Sequence, residues 1–160
     1  GAMLAPLDQA AISSDVGGLL AHISATWGAV PIGAVGYCMG GRYALTAATL
    51  SLQVVAAASL HGSNLASPEG DSPHLHFAGV RASIYIGVAS RDPTFGGEEE
   101  GRLAAALRSA DINHSIETYP DAAHGFVPDD LPVHNPRAAE HHWTRISQQL
   151  RDAFETAHLQ

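Results

Sequence analysis

The segment from Val30 to Leu50 constrains the fold more than any other part of the sequence. A short apolar run, Ile32 to Val35, leads into Gly36-Tyr37-Cys38-Met39-Gly40-Gly41, and an alanine-rich run follows at once. This order predicts a strand, a sharp turn and a helix. The turn matches the Gly-x-nucleophile-x-Gly elbow, with cysteine at the nucleophile position. We expect the glycines two residues before and after Cys38 to be required, because bulkier side chains there would collide with the strained turn.

The predicted turn gives Cys38 two chemical advantages. It places the thiol at a helix N-terminus, where the positive end of the helix dipole favours thiolate. It also directs the next backbone N–H, from Met39, to the place where an oxyanion would form. The alternative is an inert thiol buried in a tight strand-to-helix turn, and the rest of the chain has to decide between the two.

Length and composition exclude several classes of protein. A chain of 160 residues predicts one domain. The net charge is −8 and all eight basic residues are arginine, so no basic patch exists for nucleic acid. No apolar run has the length of a membrane span, and no signal peptide is recognisable. The single cysteine excludes an internal disulfide and fits a reducing cytoplasm. Gly1-Ala2, before Met3, resemble a cloning scar.

Hydrophobic periodicity predicts alternating helices and strands along the whole chain. The predicted helices are Asp8–Ala25, Met39–Leu50, Glu98–Ala110 and a last helix with an apolar stripe from Trp143 to Ala157. The predicted strands are Ile32–Tyr37, Gln53–Leu60, Ala82–Ala89 and Ser115–Tyr119. Ser63 to Gly79 is predicted to be a long loop with one helical turn. Alternation of this kind, with near-continuous apolar strands, indicates an α/β fold in which helices cover both faces of a four-stranded parallel sheet.

Four residues with reactive or titratable side chains follow the four predicted strands. Cys38 and His61 end the first two strands, and Asp92 and His124 come three and five residues after the next two. The carboxyl ends of parallel strands share one edge of a sheet, so we expect these side chains to converge. The order nucleophile, acid, base is that of the α/β-hydrolases and differs from both protease orders.

Each of three residues suits one step of nucleophilic catalysis. A thiol such as Cys38 is mostly protonated near neutral pH, and a neighbouring imidazole can remove its proton. His124 is the candidate base, and a base of this kind needs a carboxylate that fixes its tautomer and stabilises its cation. Asp92 suits that task, with Pro93 rigidifying its turn.

These segments together resemble the dienelactone hydrolase family of α/β-hydrolases. The matching segments are Gly36-Tyr37-Cys38-Met39-Gly40-Gly41, Ala58-Ser59-Leu60-His61-Gly62, Asp71-Ser72-Pro73-His74, Tyr85-Ile86-Gly87-Val88-Ala89, Asp92-Pro93, Tyr119-Pro120-Asp121-Ala122-Ala123-His124-Gly125-Phe126, Ala138-Ala139-Glu140 and Trp143. They span nearly the whole chain in family order. The resemblance implies hydrolysis of lactones or small esters without a cofactor, with Cys38 as nucleophile, Asp92 as acid and His124 as base.

Two departures from the family pattern qualify that expectation. The family's N-terminal third, which carries a second oxyanion donor, has no counterpart here. A shortened hydrolase relic that serves as a binding or assembly module is therefore the alternative function. In addition, family members that cleave dienelactone place an arginine just after the base, whereas Phe126, Val127, Pro128 and Asp129 follow His124. Dienelactone itself is therefore not the expected substrate.

Other candidate residues have plainer alternatives. Tyr37 and Phe126 could contact an acyl group or simply pack in the core, and His61 could line the pocket or cap a loop. The pairs His74/His76 and His141/His142 lack a cysteine or carboxylate at zinc-ligand spacing, so no metal site is predicted.

The absent N-terminal strands also predict an assembly. The strand Ile32–Tyr37 would lie at an edge of the sheet, and it is apolar without protective charges. We therefore expect a homodimer in which Ala29–Val35 and the N-terminal helix form the contact.

Overall fold

A computed structural model of the protein describes residues 8–158. The helices are α1 (Gln9–Trp27), α2 (Met39–Leu50), α3 (Gly97–Ser109) and α4 (Pro136–His158), and a 3₁₀ turn covers Pro73–His76. The strands are β1 (Ile32–Tyr37), β2 (Val54–Leu60), β3 (Ser83–Ala89) and β4 (His114–Tyr119). Element types agree with the sequence prediction throughout, and the bounds differ by at most two residues where both ends were predicted. Gly1-Ala2, interpreted as a cloning scar, lie outside the described residues.

The four strands form one sheet in the order β1-β2-β3-β4, and every neighbouring pair is parallel. Helices cover both of its faces. One core cluster joins α1, α2 and α3 to strand residues such as Ala57 and Ile84. A second cluster joins α4 to residues of opposite pleat such as Ala58 and Tyr85. The predicted fold class is therefore confirmed.

Local chemistry explains where α1 begins. Asp8 has an extended backbone and its Oδ1 accepts a hydrogen bond from the Ala11 amide at 2.7 Å. This contact satisfies one of the otherwise unpaired amides of the first helical turn. At the other end, Gly28 takes a positive φ of 75° and stops the helix.

Strand β1 is an edge of the described sheet, since it pairs with β2 alone. On the α4 face its Gly33 leaves room for the helix: a Cβ there would lie 2.4 Å from Leu150 Cδ2. Further along this face Val35 is 37% exposed and Trp143 of α4 is 53% exposed. Within residues 8–158 the edge therefore carries apolar surface beside backbone groups that no second strand pairs. No helix in the described part of the chain has the length and apolar character needed to cross a bilayer.

Candidate active site

The turn between β1 and α2 forms the predicted elbow. Cys38 has φ 54° and ψ −127°, a conformation that side-chain-bearing residues rarely adopt, and its side chain is exposed. A Cβ at Gly36 would lie 1.8 Å from the Gly40 carbonyl oxygen, so glycine is required two residues before Cys38. The expectation for Gly40 is wrong, because a Cβ there would meet no heavy atom within 4 Å. The steric requirement for glycine applies to Gly41 instead, since a Cβ there would lie 2.1 Å from Ser59 Oγ.

Three side chains from separate strand ends form one hydrogen-bonded chain. His124 Nε2 lies 2.9 Å from Cys38 Sγ, and His124 Nδ1 lies 2.6 Å from Asp92 Oδ2. The carboxylate acceptor fixes the proton on Nδ1, which leaves the Nε2 lone pair facing the thiol. The Asp92 side chain is 1% exposed, whereas that of His124 is 29% exposed. The sequence-predicted nucleophile, acid and base are thus brought together at the carboxyl edge of the sheet.

Backbone hydrogen bonds hold the loop that carries Asp92 against the loop that carries His124. The Ser90 and Arg91 amides donate to the carbonyls of Tyr119 and Ala122 at 3.2 and 2.9 Å. These contacts continue the β3–β4 pairing beyond both strands. The relative position of Asp92 and His124 is therefore set by the sheet rather than by the flexibility of two independent loops.

Thr94 also contacts Asp92, and the sequence reasoning did not single it out. Its amide and its hydroxyl donate to Asp92 Oδ1 at 2.8 and 2.6 Å, and its Oγ1 lies 3.3 Å from His124 Nδ1. A signal was present in the sequence, because an Asp side chain often accepts from the backbone two residues on. Only the fold shows that the turn from Asp92 to Thr94 lies beside His124.

His61 lies beneath the elbow with 3% exposure. Its Nδ1 accepts from the Cys38 amide at 3.2 Å, and its ring packs edge-on against those of His124 and Phe126. Burial, with a further contribution from the neighbouring His124 imidazole, lowers the pKa of His61 to about 4. The ring is therefore neutral near pH 7 and carries its proton on Nε2, which has no hydrogen-bond partner among the described residues.

Tyr37 and Phe126 occupy different environments. Tyr37 is partly buried and its hydroxyl donates to His142 Nε2 at 3.0 Å, while His142 Nδ1 donates to the Ala139 carbonyl. Burial raises the pKa of Tyr37 and lowers that of His142. Phe126 has 0% exposure and packs on Tyr119. Phe126 and His61 thus form an inner wall behind the elbow and do not reach its open side.

The Met39 amide lies in the first turn of α2, beside Cys38. None of the turn, loop and cap hydrogen bonds between backbone groups of the described residues uses this amide as donor. The remaining candidate histidines have separate partners: His74 bonds Ser72, His76 bonds Asp71 and His141 bonds Glu117.

A parallel sheet with a sharp strand–turn–helix at Cys38, and with Asp92 and His124 after later strands, has the arrangement of an α/β-hydrolase fold. A family model described as "Dienelactone hydrolase family" matches residues 4–154, and the chain belongs to that family.

Curated relatives agree with this assignment. A Synechocystis sp. protein named "Putative carboxymethylenebutenolidase" is 27% identical over 145 residues, covering 88% of this chain and 58% of that protein. An Escherichia coli protein of the same name is 29% identical over 114 residues, covering 69% of this chain and 42% of that protein. The chain therefore spans less than two thirds of the length of these relatives.

Solved structures show the same fold. The crystal structure of a "Putative Dienelactone Hydrolase" from Klebsiella pneumoniae superposes with a TM-score of 0.76 at 23% identity, over 88% of this chain and 60% of that one. A dienelactone hydrolase-like promiscuous phosphotriesterase from metagenomic libraries gives a TM-score of 0.76 at 19% identity, over 91% of this chain and 63% of that one.

Proposed function

We propose that the protein hydrolyses small carboxylic esters or lactones through a thiol-acyl intermediate on Cys38. The observation that carries the proposal is the hydrogen-bonded chain from Cys38 through His124 to Asp92, with separations of 2.9 and 2.6 Å. Membership in the dienelactone hydrolase family supports the reaction class.

Acylation of the thiol is the first half of the proposed reaction. His124 Nε2 takes the thiol proton, and the thiolate adds to the substrate carbonyl to form a C–S bond and a tetrahedral oxyanion. The Met39 amide donates to that oxyanion. His124 then gives its proton to the leaving alkoxide as the C–O bond breaks, which leaves a thioester on Cys38.

Hydrolysis of the thioester is the second half. His124 takes a proton from water, and the resulting hydroxide adds to the thioester carbonyl. As the C–S bond breaks, His124 returns the proton to Cys38 and the carboxylic acid leaves. Asp92 stays ionised throughout and stabilises the imidazolium formed in each half.

The substrate we propose is uncharged at the position next to the reacting carbonyl. Phe126 and Val127 follow the base where dienelactone-cleaving family members place an arginine. The partly buried Tyr37 is the residue that we propose to contact the acyl group. The buried His61 ring supports the imidazole of His124 from behind, and the buried Phe126 ring packs in turn against His61.

Burst kinetics with p-nitrophenyl acetate test this function. The wild-type protein should release one equivalent of p-nitrophenolate in a fast phase, and Cys38→Ala should release none. His124→Ala should lose the fast phase, whereas His22→Ala, an exposed histidine on α1, should keep it. Slow turnover after the burst is compatible with the proposal, since a fast phase followed by slow release is the kinetic signature of an accumulating acyl-enzyme. No acylation at all would instead favour the relic that acts as a binding module.

We also propose that the protein forms a two-fold dimer through the β1 edge. The exposed apolar side chains Leu19, Trp27 and Val35 lie on α1 and β1, the two elements that the sequence analysis assigns to the contact. Unpaired strand edges of this kind favour pairing with a second chain. Light scattering at micromolar concentration tests the proposal, and a monomer of about the 16.7 kDa chain mass would contradict it.

A reducing compartment such as the cytoplasm suits the proposed chemistry. Cys38 is the only cysteine of the chain and its side chain is exposed. An exposed thiol that has to act as a nucleophile must be kept from oxidation. Localisation of a tagged protein by cell fractionation tests this, and recovery in an oxidising compartment would contradict it.

A further inference from the structure

The carboxylate of Asp92 is almost fully enclosed by the protein. Its side chain is 1% exposed, so water does not solvate it. A buried carboxylate needs hydrogen-bond donors for both oxygens if it is to stay ionised. Oδ2 receives the Nδ1–H of His124, whereas both donors to Oδ1 come from one residue, Thr94.

We propose that Thr94 is a positioning residue that sets the orientation of the Asp92 carboxylate and, through it, of the His124 imidazole. The inference rests on the proposed function in treating Asp92 and His124 as the acid and base. The two bonds to Oδ1 fix the rotation of the carboxylate plane, and this rotation decides whether Oδ2 faces Nδ1. The hydroxyl oxygen of Thr94, 3.3 Å from Nδ1, also accepts weakly from the same proton. Thr94 therefore closes a ring of contacts with the acid and the base.

The two donors of Thr94 can be separated by substitution. Thr94→Val keeps the shape and the backbone N–H but removes the hydroxyl, whereas Thr94→Ser keeps the hydroxyl and removes only a methyl group. The residue is exposed overall, so neither change opens a core cavity. Thr144→Val, at an exposed position on α4, is the matched control for a threonine-to-valine change away from the site.

The hydrogen-bonded proton on His124 Nδ1 provides a readout that does not depend on ester hydrolysis. A proton in a short bond to a carboxylate gives a strongly downfield proton NMR signal when exchange with water is slow. His124→Ala identifies the signal by removing it. We expect Thr94→Val to accelerate its exchange with water roughly tenfold, the loss expected for one hydrogen bond to a charged group. Thr94→Ser should restore slow exchange, and Thr144→Val should match the wild type.

The kinetic readout uses p-nitrophenyl acetate. Thr94→Val should lower the acylation rate constant roughly tenfold at little change in KM, because the hydroxyl stabilises the acid–base pair rather than the bound ester. Thr94→Ser should recover most of the rate.

Each outcome bears on one proposal. An Nδ1 signal in Thr94→Val that exchanges as slowly as in the wild type overturns the positioning role, and so does a Thr94→Ser variant as impaired as Thr94→Val. A wild-type protein with the NMR signal and its Thr94 dependence, but without any burst, contradicts the proposed hydrolase and leaves the positioning role standing.

Discussion

Replacement of His61 by asparagine should reduce the acid sensitivity of the fold. His61 is 3% exposed and its pKa is lowered to about 4, first by burial. Asparagine has no titratable group, tolerates the positive φ of 39° at this position, and offers an oxygen close to where Nδ1 accepts from the Cys38 amide.

The direction of this pH effect on stability follows from whether the folded or the unfolded chain binds the proton. Between pH 6.5 and about 4 the unfolded chain protonates this histidine and the folded chain does not. Stability associated with His61 is therefore complete above pH 6.5, falls as the pH is lowered toward 4 and changes little below that. The gap between the two pKa values corresponds to an upper limit of about 3 kcal/mol, about three quarters of which is lost by pH 4.5.

Urea unfolding of the wild type and His61→Asn at pH 7.5 and pH 4.5 measures the effect. The free energy of unfolding should fall by about 2 kcal/mol less in the variant than in the wild type between these two pH values. Any stability lost with the ring packing is lost at both pH values, so it cancels when the two pH values are compared. The titration of His142 cancels between the two proteins, because both retain this residue. His22→Asn controls for removal of an exposed imidazole. Equal losses in wild type and His61→Asn would refute the claim that His61 is buried in its neutral form.

Three further predictions concern the fold. Gly36→Ala should lower the free energy of unfolding in urea by about 3 kcal/mol or more, because the new Cβ would overlap backbone atoms. Gly40→Ala should not destabilise the protein, since its Cβ would meet open space. Equal effects of the two substitutions would contradict the elbow geometry. Gly18→Ala should raise the thermal midpoint by an amount equivalent to up to about 1 kcal/mol, because Gly18 lies in the interior of α1 and no atom lies within 4 Å of the new Cβ. A lowered midpoint would contradict this open environment. Tyr85→Phe should lower the free energy of unfolding in urea by about 1–2 kcal/mol, because the buried hydroxyl donates to Glu117 Oε2 at 2.8 Å. An unchanged free energy would show that this bond contributes nothing to stability.

Local signals explain why the centre of the fold could be predicted from sequence. The bounds of β1 and α2 agree with prediction to the residue, since a short apolar run, a glycine-flanked turn and an alanine-rich run follow one another without a gap. Strands β2 and β3 are buried along almost their whole length and are mostly apolar on both faces, and this pattern indicates a parallel sheet between two layers of helices.

The convergence of Cys38, Asp92 and His124 could be predicted because strand ends share an edge in a parallel sheet. Contacts that depend on the direction of a side chain could not be predicted from the sequence. The sequence did not reveal that Phe126 points into the core, that Tyr37 bonds His142 across 105 positions, or that the turn after β3 faces the base. The error at Gly40 has the same origin, because the direction of its Cα hydrogen depends on how α2 leaves the elbow.

The most direct test of the central claim is the site of acylation. The protein should be mixed with p-nitrophenyl acetate, quenched in acid within the fast phase, digested and analysed by peptide mass spectrometry. The account predicts one acetyl group per chain on the peptide that contains Cys38, formed much more slowly in His124→Ala and absent in Cys38→Ala. Acetylation spread over other nucleophilic side chains, or acetylation of Cys38 at the same rate in His124→Ala, would contradict the claim that His124 activates Cys38.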